Sequence, residues 1–543
     1  MSLKHIWLIL LSWCYASDKH TDSGEKINMR IERTKNAVRN MIFGSILKAY
    51  QILLPFIMRT AMIYFMGVQY LGLNSLFTSI LQVLNLAELG VGSAMVFSMY
   101  KPIAEDDSTT ICALMKLYKI YYRIIGLIIA VVGVICLPFI PYLIKSDIPK
   151  GMNIYVLYLL NLSATVLSYW LFAYKNSLLQ AHQRVDIMSK VTFITNTIQY
   201  LLQFFVLVII KNYYAYLIVS LFMQAVTNII TAVVVSKKYP NYKAEGKLSK
   251  DYIIKINQRI RDLFTSKLGA VVLNSSDSIV ISAFLGLTTL AIYQNYYFIL
   301  TSIIGFVTII FNACTAGIGN SLIVETKEKN YYDLKKFTFI ISWIAGFCSI
   351  CFLCLFQPFM DIWVGKSMKL EFGVVICLCI YYFLYEINQL LNTYKDAAGM
   401  WHEDRWRPLI TALANLGMNV ILVKRCGIYG VILSTVLSMI LIGTPWLLHN
   451  IFTVIFDKNK LLDYLGQIFR YVVVTLFGAI ITYLICLVIV GNKWFVILGR
   501  MIICCIVPNV IYLFVYRKNA EFKESIILLN KITKGRILPL ATC

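Results

Sequence analysis

The stretch FMGVQYLGL (65–73) returns as FLGLTTLAI (284–292), and each copy closes a long apolar segment that carries a lysine. Lys48 stands nineteen residues before Gly67, and Lys267 stands nineteen before Gly286. Further along, Tyr174-Lys175 precedes His182 at the spacing that separates Tyr394-Lys395 from His402, and Asn196 recurs as Asn415. The matches include charges, glycines and a histidine, not only Leu and Ile. Similarity at one fixed offset marks a duplicated helical bundle, and duplicated bundles in membranes are commonly transporters with a site between the halves.

Composition agrees. Of 543 residues, 59% are hydrophobic and 14% are charged, against about 25% charged in soluble globular chains. Counting about 20 apolar residues per ~30 Å of hydrocarbon gives fourteen spans between residues 40 and 516, the eleventh and twelfth at 408–423 and 428–449. The expected fold is therefore an all-α integral membrane protein of about fourteen transmembrane helices. It divides into a leader (1–36), a six-helix lobe (37–236), a basic linker (237–262), a second six-helix lobe (263–450), two further helices (451–516) and a basic tail (517–543). Residues 1–28 fit this plan poorly: Leu3 to Ala16 is too short to span, and Met29 opens a basic leader that runs straight into span one. Met29 is the expected functional start.

The 50 Lys and Arg against 27 Asp and Glu give a net charge of +23. Nucleic acid is not the expected partner, because the basic residues cluster between apolar spans, where orientation rules and anionic membrane lipid account for them. The segment after span six holds Lys237, Lys238, Lys243, Lys247, Lys250 and Lys255, and the tail holds Arg517, Lys518 and Lys523. Connections on the other side hold one or two basic residues each, so both termini are expected in the cytoplasm. Fourteen cysteines show no zinc-type spacing and read as small apolar core residues.

Charges inside spans are costly and normally face a polar cavity or a partner. Lys48 and Arg59 lie in span one, Glu88 in span two, Lys267 and Asp277 in span seven, and Glu386 in span ten. Lys48, Arg59 and Lys267 are candidates for an anionic headgroup, since Lys acts as a point charge toward phosphate and Arg as a fork; the alternative for both lysines is snorkelling to the cytoplasmic edge. Glu88, Asp277 and Glu386 are candidates for coupling or gating. Arg59 and Asp277 occupy nearly equivalent depths with opposite charge, which suits a gating pair between lobes, an Asp277 that titrates or binds a coupling cation while Arg59 holds substrate, or, more blandly, an ion pair within one lobe or an outward-snorkelling Arg59. Gly90 and Gly92 beside Glu88 loosen the helix there. Glu386 in YYFLYEINQLLNTY (381–394) sits among Tyr and Asn, as a wet lining requires. The adjacent His402, Glu403 and Asp404 of WHEDRWRP (401–408) diverge on a helix and cannot converge on one metal ion, so they read as a charged cap and loop. No Walker A, GxSxG or HExxH pattern occurs, so no ATP-driven pump or hydrolase is indicated.

RTKNAVRNMIFG (33–44), IYFMGVQYLGL (63–73), NLAELG (85–90), SSDSIVISAFLGL (275–287), YKDAAGMWHEDRWRPLITALANL (394–416) and GIYGVILSTVLS (427–438) together resemble the Wzx-type polysaccharide flippases. That family belongs to the superfamily that also holds multidrug and toxin extruders and lipid II flippases. The resemblance covers nearly the whole chain after about residue 30. It implies two pseudo-symmetric six-helix lobes around a central cavity, MATE-like, plus two C-terminal helices. It also implies flipping of undecaprenyl-diphosphate-linked oligosaccharide units across the bacterial cytoplasmic (inner) membrane, for capsule, O-antigen or exopolysaccharide assembly. The implied partners are the lipid-linked oligosaccharide, membrane lipid and the polysaccharide polymerase and chain-length machinery. No catalysis and no cofactor is expected beyond a coupling cation, H+ or Na+. The nearest alternative is a cation-coupled drug exporter of the same fold, which should favour intramembrane carboxylates over Lys48, Arg59 and Lys267. A membrane polymerase or ligase should carry a sizeable outer loop, and a scaffold without transport leaves the buried charges unexplained.

Overall fold

A computed structural model describes residues 33–145, 148–149 and 151–532. The expected leader with its alternative start at Met29 lies almost wholly outside the described residues, as does the tail beyond 532. Among the described residues every regular element is helical. They are α1 (Arg33–Phe65), α2 (Val68–Leu84), α3 (Val91–Ala104), α4 (Ser108–Cys136), α5 (Ile154–Trp170), α6 (Asn176–Ala181), α7 (Val185–Phe205), α8 (Tyr213–Lys238) and α9 (Lys250–Leu285). There follow α10 (Leu287–Val324), α11 (Lys327–Trp363), α12 (Phe372–Ala397), α13 (Arg407–Ser438), α14 (Thr444–Val454), α15 (Leu461–Val488), α16 (Lys493–Tyr516) and α17 (Ala520–Ile532).

Short polar residues start these helices. Asp107 accepts from Thr110 N at 3.0 Å, Asn153 from Tyr155 N at 3.0 Å, Asn212 from Ala215 N at 3.2 Å and Thr326 from Lys329 N at 3.3 Å. Each satisfies an amide that the first helical turn leaves without a partner. The two repeat glycines do the opposite work. Gly67 has φ +113° between α1 and α2, and Gly286 has φ +91° between α9 and α10. Only glycine adopts such angles without strain, so the same break recurs at the same place in both copies.

Among the described residues, eleven helices are long and apolar enough to cross a membrane, or twelve if Ile154–Trp170 and Ala173–Ala181, bent by 48°, form one broken span. Two features separate this count from the fourteen expected. Arg407–Val454 is one helical run of 48 residues that contains both expected spans 408–423 and 428–449, broken at Gly427 (φ 56°, ψ −138°). The other is α1, 33 residues long with Lys48 and Arg59 along it, which falls outside that count.

The chain forms two compact units. One comprises the described residues up to Val271 together with Gly286–Thr288; the other comprises Val272–Leu285 and the chain from Thr289 onward. The division falls inside α9, so this helix belongs to both. In the first unit α1 packs on α2 and α7, α3 on α4 and α6, and α8 on α5 and α7. In the second, α11 is the central element, packed on α12, α15, α16 and α17, while α12 also packs on α13 and α14.

Candidate functional site

The second unit builds a buried polar network around Asp277. Three elements supply it: α9 brings Asp277, α10 brings Tyr293, and α13 brings Asn415, Asn419 and Thr435. Asn419 Nδ2 donates to Asp277 Oδ1 at 2.7 Å, and Thr435 Oγ1 donates to Asp277 Oδ2 at 3.1 Å. The Tyr293 hydroxyl also bonds the carboxylate. Asn415 is tied in through Asn419 Nδ2 to its Oδ1 (3.2 Å) and its own Nδ2 to Thr435 Oγ1 (3.0 Å). All five residues are buried. Asn415 and Asn419 are one helical turn apart and share a face. They meet Thr435 because the break at Gly427 turns the chain back between them. Asn419 Oδ1 is buried and has no hydrogen-bond partner among the described residues.

The first unit brings Glu88 and Lys267 together. After α2 the chain makes a tight turn at Asn85–Glu88, and Gly90 takes φ +87° to open α3. This is the loosening expected from NLAELG. Tyr122 donates to Glu88 Oε1 at 3.1 Å, and Tyr118 donates to the Tyr122 hydroxyl at 2.6 Å. A Cβ on Gly92 would sit 3.1 Å from both Glu88 Oε1 and the Tyr118 hydroxyl, so the glycine permits this close approach. Lys267 donates to Ser93 Oγ at 3.2 Å and interacts electrostatically with Glu88. Sequence reasoning grouped Lys267 with Lys48 and Arg59 and did not foresee its carboxylate neighbour.

Arg59 is partly buried beside Tyr216. Lys48 is partly exposed and, among the described residues, has no hydrogen-bond or ion-pair partner. Glu386 stands apart from Asp277 on α12. It is 1% exposed and faces the equally buried Tyr382, yet among the described residues neither carboxylate oxygen has a hydrogen-bond partner of normal geometry.

WHEDRWRP is less of a solvated loop than its composition suggests. His402 and Glu403 are exposed while Asp404 is buried, the divergence expected of adjacent residues. Arg407 Nε and NH2 grip Asp404 at 2.6 and 2.7 Å, Asn450 Nδ2 adds 3.1 Å, and Lys395 Nζ lies 3.6 Å away. The repeat places Arg184 and Asp186 in the corresponding part of the first unit, where they pair at 3.0 Å with Asp186 buried. The repeat thus keeps a buried ion pair as well as Tyr-Lys and His.

The break-punctuated helices, the repeated glycine turns and the charged groups buried within each unit define a membrane carrier fold. Solved structures agree. The chain is similar to "Lipid II flippase MurJ, inward closed conformation" (TM-score 0.63, 15% identity, covering 88% of this chain and 99% of that one). It is also similar to inward- and outward-facing multidrug resistance MATE family transporters of the MOP superfamily. Their TM-scores are 0.58 and 0.52, at 14% and 13% identity, over 74% and 78% of this chain and 93% and 96% of theirs. At these identities the likeness is one of fold. No curated protein matches the chain in sequence. Residues 37–316 match the family model described as polysaccharide biosynthesis protein, and the chain belongs to that family.

Proposed function

We propose that this protein flips undecaprenyl-diphosphate-linked oligosaccharide units from the cytoplasmic to the outer face of the bacterial inner membrane, by alternating access. Both termini then lie in the cytoplasm, and the chain performs no covalent chemistry. The family match over 37–316 carries this reading. Three cations on α1 and α9 support it, because a diphosphate headgroup must leave water and needs positive partners in the membrane. Lys48 and Arg59 are the primary contacts. Lys267 is held by Ser93 beside Glu88, and Glu88 sets when that ammonium is available.

Coupling falls to Asp277. A small cation such as Na+ takes oxygen ligands, and the Asp277 carboxylate, Thr435 Oγ1 and the unpartnered Asn419 Oδ1 offer them within one buried cluster. A proton on Asp277 or Glu386 is the other form that coupling takes. The direct test of the headgroup role is Lys48→Ala combined with Arg59→Ala in a strain lacking its own flippase. Surface polysaccharide should fall at least about tenfold at unchanged protein level, the loss that follows from about 1.4 kcal/mol of lost binding. Normal polysaccharide would sink the headgroup assignment.

A further inference from the structure

Three cysteines from three helices meet in the second unit. Cys354 on α11, Cys486 on α15 and Cys504 on α16 are fully buried, and their sulfurs all lie within 4.8 Å of one another. Cys351, one turn before Cys354, also touches Cys504. In sequence these residues sit in apolar runs, Cys354 after Cys348 and Cys351 and Cys504 beside Cys505, and packing of small apolar side chains explains any one of them as readily as Leu or Ala would. It does not explain their companion. Arg500, one turn before Cys504, is partly buried, interacts electrostatically with Cys486 and Cys504 and donates from Nη1 to Cys354 O at 3.4 Å, yet its Nε is buried with no partner among the described residues. A guanidinium with a buried Nε inside a membrane-spanning helix is expensive unless negative charge forms beside it.

We propose that Cys354, Cys486 and Cys504 bind a soft monovalent metal ion, copper(I), as a clasp that ties α11, α15 and α16 together. Thiolates about 2.3 Å from a metal in a trigonal arrangement sit about 4 Å apart, so the sulfurs need shift by less than about 1 Å. Three converging sulfurs fall short of the closed set of four that structural zinc requires, whereas soft thiolate sites select copper(I). Binding through two thiolates and one thiol releases two protons to solvent and leaves one negative charge. Arg500 supplies the matching positive charge, so the loaded site is neutral.

The test uses the purified full-length protein in detergent, reduced and oxygen-free, with copper(I) presented as its bathocuproine complex. The wild type and the Cys377→Ser control should withdraw one equivalent and gain thermal stability from it. Cys354→Ser, Cys486→Ser and Cys504→Ser should withdraw none, at a size-exclusion profile equal to the control. Arg500→Gln should weaken binding by about tenfold to a hundredfold, as loss of a supporting neighbour does. Equal uptake by wild type and the three serine variants overturns the site, as does no uptake by the wild type. Preferential uptake of zinc overturns the metal assignment. A disulfide among these cysteines in the protein as isolated, read by intact mass, overturns the clasp.

Discussion

Replacing Asp277 by Asn separates a functional charge from a structural one. The carboxylate accepts from Asn419, Thr435 and Tyr293. Hydrogen bonds to a charged acceptor contribute about 1.5–3 kcal/mol each and neutral ones about 0.5–1.5, so neutralisation weakens the cluster by about 3–5 kcal/mol in total. Removing an ion from a buried site returns several kcal/mol of desolvation cost, which is of the same size. Geometry is also forgiving. The Thr435 hydroxyl lies 3.3 Å from Val431 O and turns to that carbonyl, leaving its lone pairs for the new amide. The expected net change is within about 2 kcal/mol, or a melting temperature within about 4–8 °C. Transport is the other readout: in a strain lacking its own flippase, surface polysaccharide should fall at least tenfold, and reconstituted protein should lose its dependence on a cation gradient. Wild-type polysaccharide at wild-type protein level would refute the coupling role. A collapse of the melting temperature by well over 10 °C would refute it differently, by showing that Asp277 holds the fold.

Asp404→Ala strands the Arg407 guanidinium in a buried pocket and should cost about 3–5 kcal/mol, read as lost expression and a lowered melting temperature; an unchanged melt would mean that water reaches Arg407. Gly72→Val should disrupt the first unit, because any Cβ there runs into the backbone carbonyl of Leu287; backbone cannot swing away as a side chain can, and wild-type folding would contradict the packing. Asp107 is partly exposed, and its bonds from the Thr109 hydroxyl and Thr110 N hold its carboxyl down to about 2 from the ordinary 3.8. A depressed folded value places the cap's contribution above about pH 4 and removes it as pH falls through about 2. Amide exchange at Ser108–Thr110 should therefore accelerate in acid in the wild type and show no such step in Asp107→Ala.

What the sequence made legible was local or periodic. The repeat of Gly67 as Gly286 announced two identical backbone breaks, and both are present as positive-φ turns. Glu88 beside Gly90 and Gly92 announced a broken helix, and His402, Glu403 and Asp404 do diverge, although in a turn between α12 and α13 rather than on the expected helix. The partners were not legible, because each lies far along the chain: 142 residues separate Asp277 from Asn419, and 174 separate Ser93 from Lys267. A weak signal existed for the first of these. Asn415 and Asn419 stand at i, i+4, as do Val431 and Thr435, so each pair shares one helical face, but nothing local says that the two faces meet. The cysteine cluster gave less, since its members sit on three helices and its spacing exists only in the folded chain.

The duplication is closer in sequence than in packing, and the difference bears on function. α1 lies wholly in the first unit and carries Lys48 and Arg59 there. Its repeat counterpart, α9, delivers Lys267 to the first unit and Asp277 to the second. The two residues are ten apart on one continuous helix, about 15 Å along its axis. The opposite charges at the Arg59 and Asp277 positions are then no simple exchange between matched halves. One copy of the repeat presents Lys48 and Arg59 within a single unit, and the other carries Lys267 in one unit and Asp277 in the other.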